Sequence, residues 1–232
     1  MNNSFDLFDK IYCINLKKRT DRWQACEAVF NELGITDKVV RFEASDFSND
    51  TSIVEMHRGR CGCAQSHINI IKDAVLNSYK NILIFEDDVK IHASAESIQQ
   101  TMKDCFNELP SDWEIFYPSA NPPSHWESIK DYSQNLCSVI AAFTTHSIAI
   151  NSNIFEHLIE RFYSYGDVNN LIHKAVAVDN FYIESACSRG KAYLAKKLLF
   201  TQRNNYSDID YCNRNIDGII IETYNRHPLL VL

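Results

Sequence analysis

The chain has no run approaching the ~18 consecutive apolar residues of a membrane-spanning helix. Residues 1–6 show no charged stretch leading into an apolar one, so no secretory leader is read there. Low-complexity tracts, coiled-coil heptads and internal repeats are missing, and glycine (6) and proline (5) are scarce among the 232 residues. What remains is a globular composition. An excess of positive charge is also lacking: the formal net charge is −7, which excludes a chain that binds nucleic acid through its overall field. Eight cysteines permit disulfides arithmetically, but without a secretory signal most are read as reduced and buried. Cys61-Gly62-Cys63 has no second ligand pair at zinc spacing, which argues against a zinc site.

A chain of this length buries roughly 70% of its unfolded surface as one domain, and residues 1–232 are read as a single elaborated α/β domain. Residues 10–16 (KIYCINL) read as a first strand, followed by a helix ending near Gly34, a residue suited to a C-cap. A second strand is expected over 38–42, a polar irregular segment over 43–60, and an amphipathic helix over 63–79. A strand from Ile82, a helix over 93–109 and a short strand over 113–117 follow. This alternation implies parallel pairing with right-handed crossovers. Beyond it, 118–132 reads as loop, 139–150 as paired strands, and 154–163 and 179–187 as helices. The tail beyond Tyr206 has no clear pattern.

The densest chemistry lies at Ile82-Leu83-Ile84-Phe85-Glu86-Asp87-Asp88-Val89. A four-residue apolar run reads as a strand buried on both faces, yet it runs straight into three carboxylates. Burying a bare charge costs several kcal/mol or more, so a positive partner is expected, and Mg²⁺ or Mn²⁺ is the economical one. A solvated turn and a phosphatase-like aspartate nucleophile are the alternatives. The basic cluster Lys17-Lys18-Arg19-Thr20-Asp21-Arg22 opens the first helix and suits a diphosphate, or is a solvated loop. A second basic stretch runs from 191 to 197. Ligands of open α/β sheets sit beyond the carboxyl ends of parallel strands, so Asn15–Arg22 and Glu86–Asp88 are expected to share one crevice.

Gly62 permits close backbone approach, and Ser66 and His67 are placed in the first turns of a helix. Adjacent helical residues point about 100° apart, so the two cannot bond as nucleophile and base, and His67 is read as ligand-facing or structural. His146 is equally open. Asp179, before an apolar stretch, is either an N-cap or catalytic. Trp126, in the proline-containing loop, suits packing or sugar stacking.

In order along the chain, these segments resemble glycosyltransferase family 25, which includes lipooligosaccharide and procollagen galactosyltransferases. Ile14-Asn15-Leu16 with Arg19, Asp21 and Arg22 is similar to the family's INL-x-x-R-x-D-R motif, and Gly62-Cys63-Ala64 with Ser66-His67 to its GCA-x-SH block. Residues 83–89 resemble its LILEDDV strand end, and Thr145-His146 its TH-x-Y-x-I block. Asp179 matches a later aspartate, and Gln202 with Ser207-Asp208-Ile209 a Q…SDI ending. Arg60, where an acid is usual, and Gln65, where a small or apolar residue is common, depart from the pattern and bear on donor identity.

The resemblance implies a GT-A-type nucleotide-sugar-binding fold with a mostly parallel central sheet flanked by helices. It further implies inverting, metal-dependent transfer of a hexose, galactose by analogy, from a UDP-sugar to a hydroxyl of a glycan or hydroxylysine-type protein acceptor. Asp88 and Glu86 would hold Mn²⁺ or Mg²⁺. Asn15, Leu16, Arg19, Arg22, Ser66, His67 and Glu86 would contact the donor. Asp179 is the first candidate for the base and Asp87 the second. A non-catalytic nucleotide-sugar binder and a metal-dependent phosphohydrolase are the rival readings. No nucleic-acid partner is expected. The location read is cytosolic, with the inner face of a membrane as the other option.

Overall fold

The structure, a computed structural model, describes residues 3–123, 128–175, 177–204, 206–207, 212–213 and 215–232. Trp126, Asp208 and Ile209 lie outside them.

Strand β1 (Lys10–Asn15) leads into α1 (Thr20–Glu32), which stops where Gly34 takes a left-handed φ of 66°, a conformation glycine adopts without a Cβ penalty. Next come β2 (Val39–Glu43), α2 (Glu55–Leu76), β3 (Asn81–Glu86), β4 (Val89–Ile91) and α3 (Ala95–Glu108). Ser94 caps α3 by accepting from the Ser97 N–H at 3.3 Å, satisfying one of the helix's free donors. The second half holds β5 (Ile115–Tyr117), β6 (Ile129–Asp131), β7 (Leu136–Val139) and β8 (Ser147–Asn151). Helices α4 (Phe155–Ser164), α5 (Val168–Ala175) and α6 (Val178–Ser185) follow, then β9 (Ala192–Ala195), β10 (Phe200–Gln202), β11 (Tyr206–Ser207), β12 (Cys212–Asn213) and α7 (Ile216–Arg226).

Eight strands form one sheet in the order β2-β1-β3-β8-β5-β9-β7-β6. β2, β1 and β3 are mutually parallel, β8 is antiparallel to both β3 and β5, and β9 is parallel to β5. With β7 reversed and β6 reversed again, six strands run one way and two the other. Along β3, Ile82 and Ile84 join the core shared with α2, α4 and α6, whereas Leu83 and Phe85 join the core under α1 and α3. All four are fully buried, so the strand is sandwiched as its apolar run predicts. β4 leaves this sheet and pairs with β10, setting Val89 opposite Gln202.

Three sequence expectations are corrected. Helix α2 begins at Glu55, not near Cys63, because its first two turns (Glu55, His57, Arg58, Arg60) carry no apolar stripe to betray them. Ser66 and His67 are therefore mid-helix. The 139–150 segment is not a strand pair: β7 pairs with β6 and β9, and β8 with β3 and β5. The basic stretch 191–197 encloses buried strand β9, and its lysines are spent elsewhere. Lys191 pairs with Asp112 at 3.1 Å, Lys196 donates to the Ser133 carbonyl at 2.6 Å, and Lys197 donates to Ser97 Oγ at 2.7 Å. Among the described residues, no helix is long and apolar enough to cross a membrane.

Candidate active site

The carboxyl ends of β2, β1 and β3 and the entry to antiparallel β8 lie on one edge of the sheet. Over that edge opens a cavity of about 520 Å³, a size usual for small-ligand sites. Asn15 and Leu16 from the end of β1, residues 44–48 after β2, and Glu86, Asp87 and Asp88 after β3 line it. Thr144 and Thr145 before β8, Asp179 at the start of α6, and Gln202 from β10 complete this wall. Lys18, Arg22, Arg58, Arg60 and Arg203 bring positive charge to the same lining.

The three consecutive carboxylates meet three different environments. Asp87 is fully engaged: Arg22 Nη1 donates to Oδ1 at 2.6 Å and Asn15 Nδ2 to Oδ2 at 2.6 Å. Arg41 in turn donates through Nε and Nη2 to Asn15 Oδ1 at 2.9 and 2.6 Å, fixing the amide's orientation. Burial nevertheless outweighs these donors and leaves the Asp87 carboxyl above its ordinary range. Glu86 turns its Oε1 toward the protein: Thr145 Oγ1 donates at 2.5 Å, His67 Nε2 lies 3.5 Å away and Cys63 Sγ 4.0 Å. Burial pushes Glu86 up, but the His67 imidazole and the Thr145 hydroxyl win, and the group is held below its usual range.

Asp88 is the one left short. Gln202 Nε2 donates to Oδ2 at 3.0 Å, delivered by the β4–β10 pairing, but Oδ1 is buried with no hydrogen-bond partner among the described residues. Burial, then the charges of Glu86 and Asp87, push its pKa up to about 7. A buried, ionisable oxygen without a donor is what a cation site looks like before the cation is counted. The residues present thus fit the divalent ion that the family resemblance implies.

Asp179 lies within the first turn of α6, and the N-cap position is Ala177, so the aspartate does not cap. Its Oδ1 accepts from the Asn180 N–H at 2.8 Å and its Oδ2 from the Thr144 N–H at a long 3.4 Å. Burial raises its pKa despite these N–H donors. Thr144 adopts φ 69°, costly for a β-branched residue by about 1–3 kcal/mol, and this twist aims its N–H at Asp179.

Of the other sequence-selected residues, Arg60 and Gly62 belong to the lining, whereas Ser66, His67, Arg19, Gln65 and His146 stand outside it. Ser66 is fully buried; its Oγ accepts from the Ser45 N–H at 2.9 Å and donates to the Gly62 carbonyl at 2.6 Å. It fixes the loop after β2 to α2. His67 sits behind Glu86, its Nδ1 3.1 Å from the Tyr182 hydroxyl. Arg19 turns onto Asp21, with Nε–Oδ1 at 3.0 Å and Nη2–Oδ2 at 2.9 Å. Arg60 lines the cavity, whereas Gln65 donates to Asn69 Oδ1 at 2.8 Å along α2. His146 is fully buried and held neutral, its pKa lowered to about 4 by burial. Gly62 is required where it stands, because a Cβ there would overlap the Ser45 carbonyl oxygen. Arg41 and Arg203 carry no signal in the sequence: they come from β2 and from the stretch after β10, with no motif spacing between them.

Residues 8–165 match the model of glycosyltransferase family 25 (LPS biosynthesis protein). The chain belongs to glycosyltransferase family 25. Procollagen galactosyltransferase 1-A of Xenopus laevis is 28% identical over 127 residues, covering 47% of this chain and 21% of that protein. The human protein named inactive glycosyltransferase 25 family member 3 is 26% identical over 128 residues, covering 47% of the chain and 21% of its own length. The chain thus spans about a fifth of the length of these curated relatives. Among solved structures, a glycosyltransferase involved in glycosylation of the PBCV-1 major capsid aligns at TM-score 0.38 and 10% identity, over 80% of this chain and 91% of that one. That likeness is too distant to carry a conclusion. The mostly one-directional sheet with helices on both faces is of the class expected of the family-25 domain.

Proposed function

We propose that this chain is an inverting glycosyltransferase that binds a UDP-hexose, galactose in the first instance, in the cavity above β1 and β3. It transfers the sugar to a hydroxyl of a glycan or protein acceptor. The observation that carries the reading is Asp88 Oδ1, buried and without a hydrogen-bond donor among the described residues, inside a cavity that also holds Arg22, Arg60 and Lys18. That combination suits a diphosphate chelated to a divalent ion, and family membership supplies the sugar. The galactosyl donor rests on the names of the procollagen relatives.

Asp88 would hold Mn²⁺ or Mg²⁺, with Glu86 offering the oxygen not turned toward Thr145. When bound, the ion supplies Lewis acidity against charge building on the departing diphosphate. The chain's own residues do the rest. Asp87, bound by Arg22 and Asn15, is the brace that joins the β1 and β3 ends, and neither of its oxygens is free to take a proton. Asp179 Oδ2, which among the described residues accepts the long bond from Thr144, takes the proton of the acceptor hydroxyl. The acceptor oxygen then bonds to the anomeric carbon as the sugar–phosphate bond breaks. A raised carboxylate pKa brings the base closer to the working pH, which favours proton transfer. A second reading, a nucleotide-sugar binder without turnover, gains weight from the relative named inactive.

Release of UDP from a panel of UDP-sugars with Mn²⁺ tests the proposal without knowledge of the acceptor. Slow cleavage of one sugar nucleotide, abolished by chelator and by Asp88→Asn, supports it. UDP binding without cleavage, even with candidate glycan and hydroxylysine acceptors, favours the binder. Release of inorganic phosphate from simple esters instead would point to a phosphohydrolase.

A further inference from the structure

Behind the cavity wall, three side chains with metal-binding atoms converge from separate elements. Cys63 and His67 are one turn apart on α2, so both project from the same face. Glu86 comes from the end of β3. Cys63 Sγ, a ring nitrogen of His67 and a carboxylate oxygen of Glu86 all lie within 4.8 Å of one another. His67 Nε2 is 3.5 Å from Glu86 Oε1, and Cys63 Sγ is 4.0 Å from the same oxygen. Tetrahedral zinc bonds of 2.0–2.3 Å place ligand atoms about 3.3–3.8 Å apart, so closing this group requires shifts of an ångström or less.

A second observation points the same way. His67 is fully buried, and its Nε2, 3.5 Å from Glu86 Oε1, has no hydrogen-bond partner among the described residues, although Nδ1 is matched with the Tyr182 hydroxyl at 3.1 Å. A buried ring nitrogen left unsatisfied is costly. Without an ion, the imidazole favours the ionised Glu86; with one bound, the tautomer that donates Nδ1–H to Tyr182 would present the Nε2 lone pair to the space between Cys63 and Glu86. The surroundings are those of metal ligands, whose outer partners fix ring and carboxylate orientation: Tyr182 behind His67, and Thr145 donating to Glu86 Oε1 at 2.5 Å.

We propose that Cys63, His67 and Glu86 form a site for a zinc-class divalent ion beside the oxygen-donor site anchored by Asp88, the two sharing Glu86 through its different oxygens. A thiolate, an imidazole and a carboxylate select Zn²⁺ or Co²⁺ over Mn²⁺ and Mg²⁺, which prefer oxygen throughout. Cys63 and Glu86 both line the cavity and His67 does not, so the ion sits in the wall with its fourth position toward the cleft. Motif spacing hides this site. Cys61, the partner that the Cys61-Gly62-Cys63 spacing suggests, turns its Sγ toward the Val168 carbonyl at 3.9 Å, and the third ligand is 19 residues beyond His67.

Occupancy of this site is read by metal binding rather than by turnover. The full chain, reduced and stripped with chelator, is titrated with Co²⁺ alone. One equivalent should bind with the near-ultraviolet charge-transfer band of a cobalt–thiolate bond and the strong visible bands of tetrahedral cobalt. Excess Mn²⁺ should not displace it. Cys63→Ser, a near-isosteric change at a partly exposed residue, should remove the thiolate band, while Asp88→Asn should keep it. His67→Gln sits in the core and can fail to fold, so the wild-type spectrum and the Cys63 variant carry the decision. Absence of a thiolate band in the wild type, or its survival in Cys63→Ser, overturns the proposal.

Discussion

Replacing Asp88 with asparagine should make the metal-free protein more stable at pH 8. The folded state holds this carboxyl up at about 7, against an ordinary 3.8, because of burial and then the neighbouring charges of Glu86 and Asp87. An acid whose pKa is raised on folding binds its proton more tightly in the folded chain. Its stabilising contribution is therefore fully present below about 3.8 and is lost as pH rises through about 7. A shift of ~3 units at about 1.4 kcal/mol each sets a ceiling of about 4 kcal/mol for that loss. Water penetration and relaxation reduce it. Asparagine is neutral throughout and can still accept from Gln202, so the variant escapes the loss. The stability difference between variant and wild type, from urea unfolding without divalent ions, should be near zero at pH 4. It should grow in the variant's favour toward pH 7 and then level off, and subtraction cancels the titration of other groups common to both proteins. Mn²⁺ at about 100 times its Kd should restore roughly 2.7 kcal/mol to the wild type and little to the variant. A variant less stable than wild type at pH 8, or a difference flat from pH 4 to 8, would refute the assignment of Asp88 as an uncompensated buried charge.

Arg22→Met should cost about 3–5 kcal/mol, since it leaves buried Asp87 without its cation; the loss, read from urea midpoints, should be larger at pH 8 than at pH 5, and an equal loss at both would contradict a stranded charge. Gly62→Ala should destabilise by about 1–3 kcal/mol despite alanine's better helix propensity, because the added Cβ meets the Ser45 carbonyl oxygen; a rise in melting temperature would show that α2 and the loop after β2 do not approach so closely. Asp179→Asn should lower turnover by about 10²–10⁴-fold and leave UDP affinity unchanged, and near-normal turnover would remove it as the base.

The sequence exposed the parts of this fold that repeat a simple pattern. The apolar run of β3 predicted its double-sided burial, and the β1 and β3 ends were expected in one crevice, where Asn15 and Arg22 do meet Asp87. What it hid has physical causes. β9 (Ala-Tyr-Leu-Ala) is short and flanked by lysines, so its charge masked a buried strand. The first turns of α2 hold a single exposed apolar side chain, Met56, and no apolar stripe. Asp87 and Asp88 are adjacent carboxylates with opposite fates, decided by Arg22 from α1 and Gln202 from β10. Only tertiary pairing 65 and 114 residues away distinguishes the two. Cys63 and His67 share a motif with no spacing to Glu86, and Thr144's positive φ leaves no mark in the sequence.

The most direct test of the account is a calorimetric titration of the full chain with UDP at pH 8, with Mn²⁺ and with chelator, beside Asp88→Asn. The account predicts saturable 1:1 binding that requires the cation and is lost in the variant. No binding under any condition, or equal binding with chelator and in Asp88→Asn, would contradict the assignment of the cavity above β1 and β3 as a metal-assisted nucleotide-sugar site.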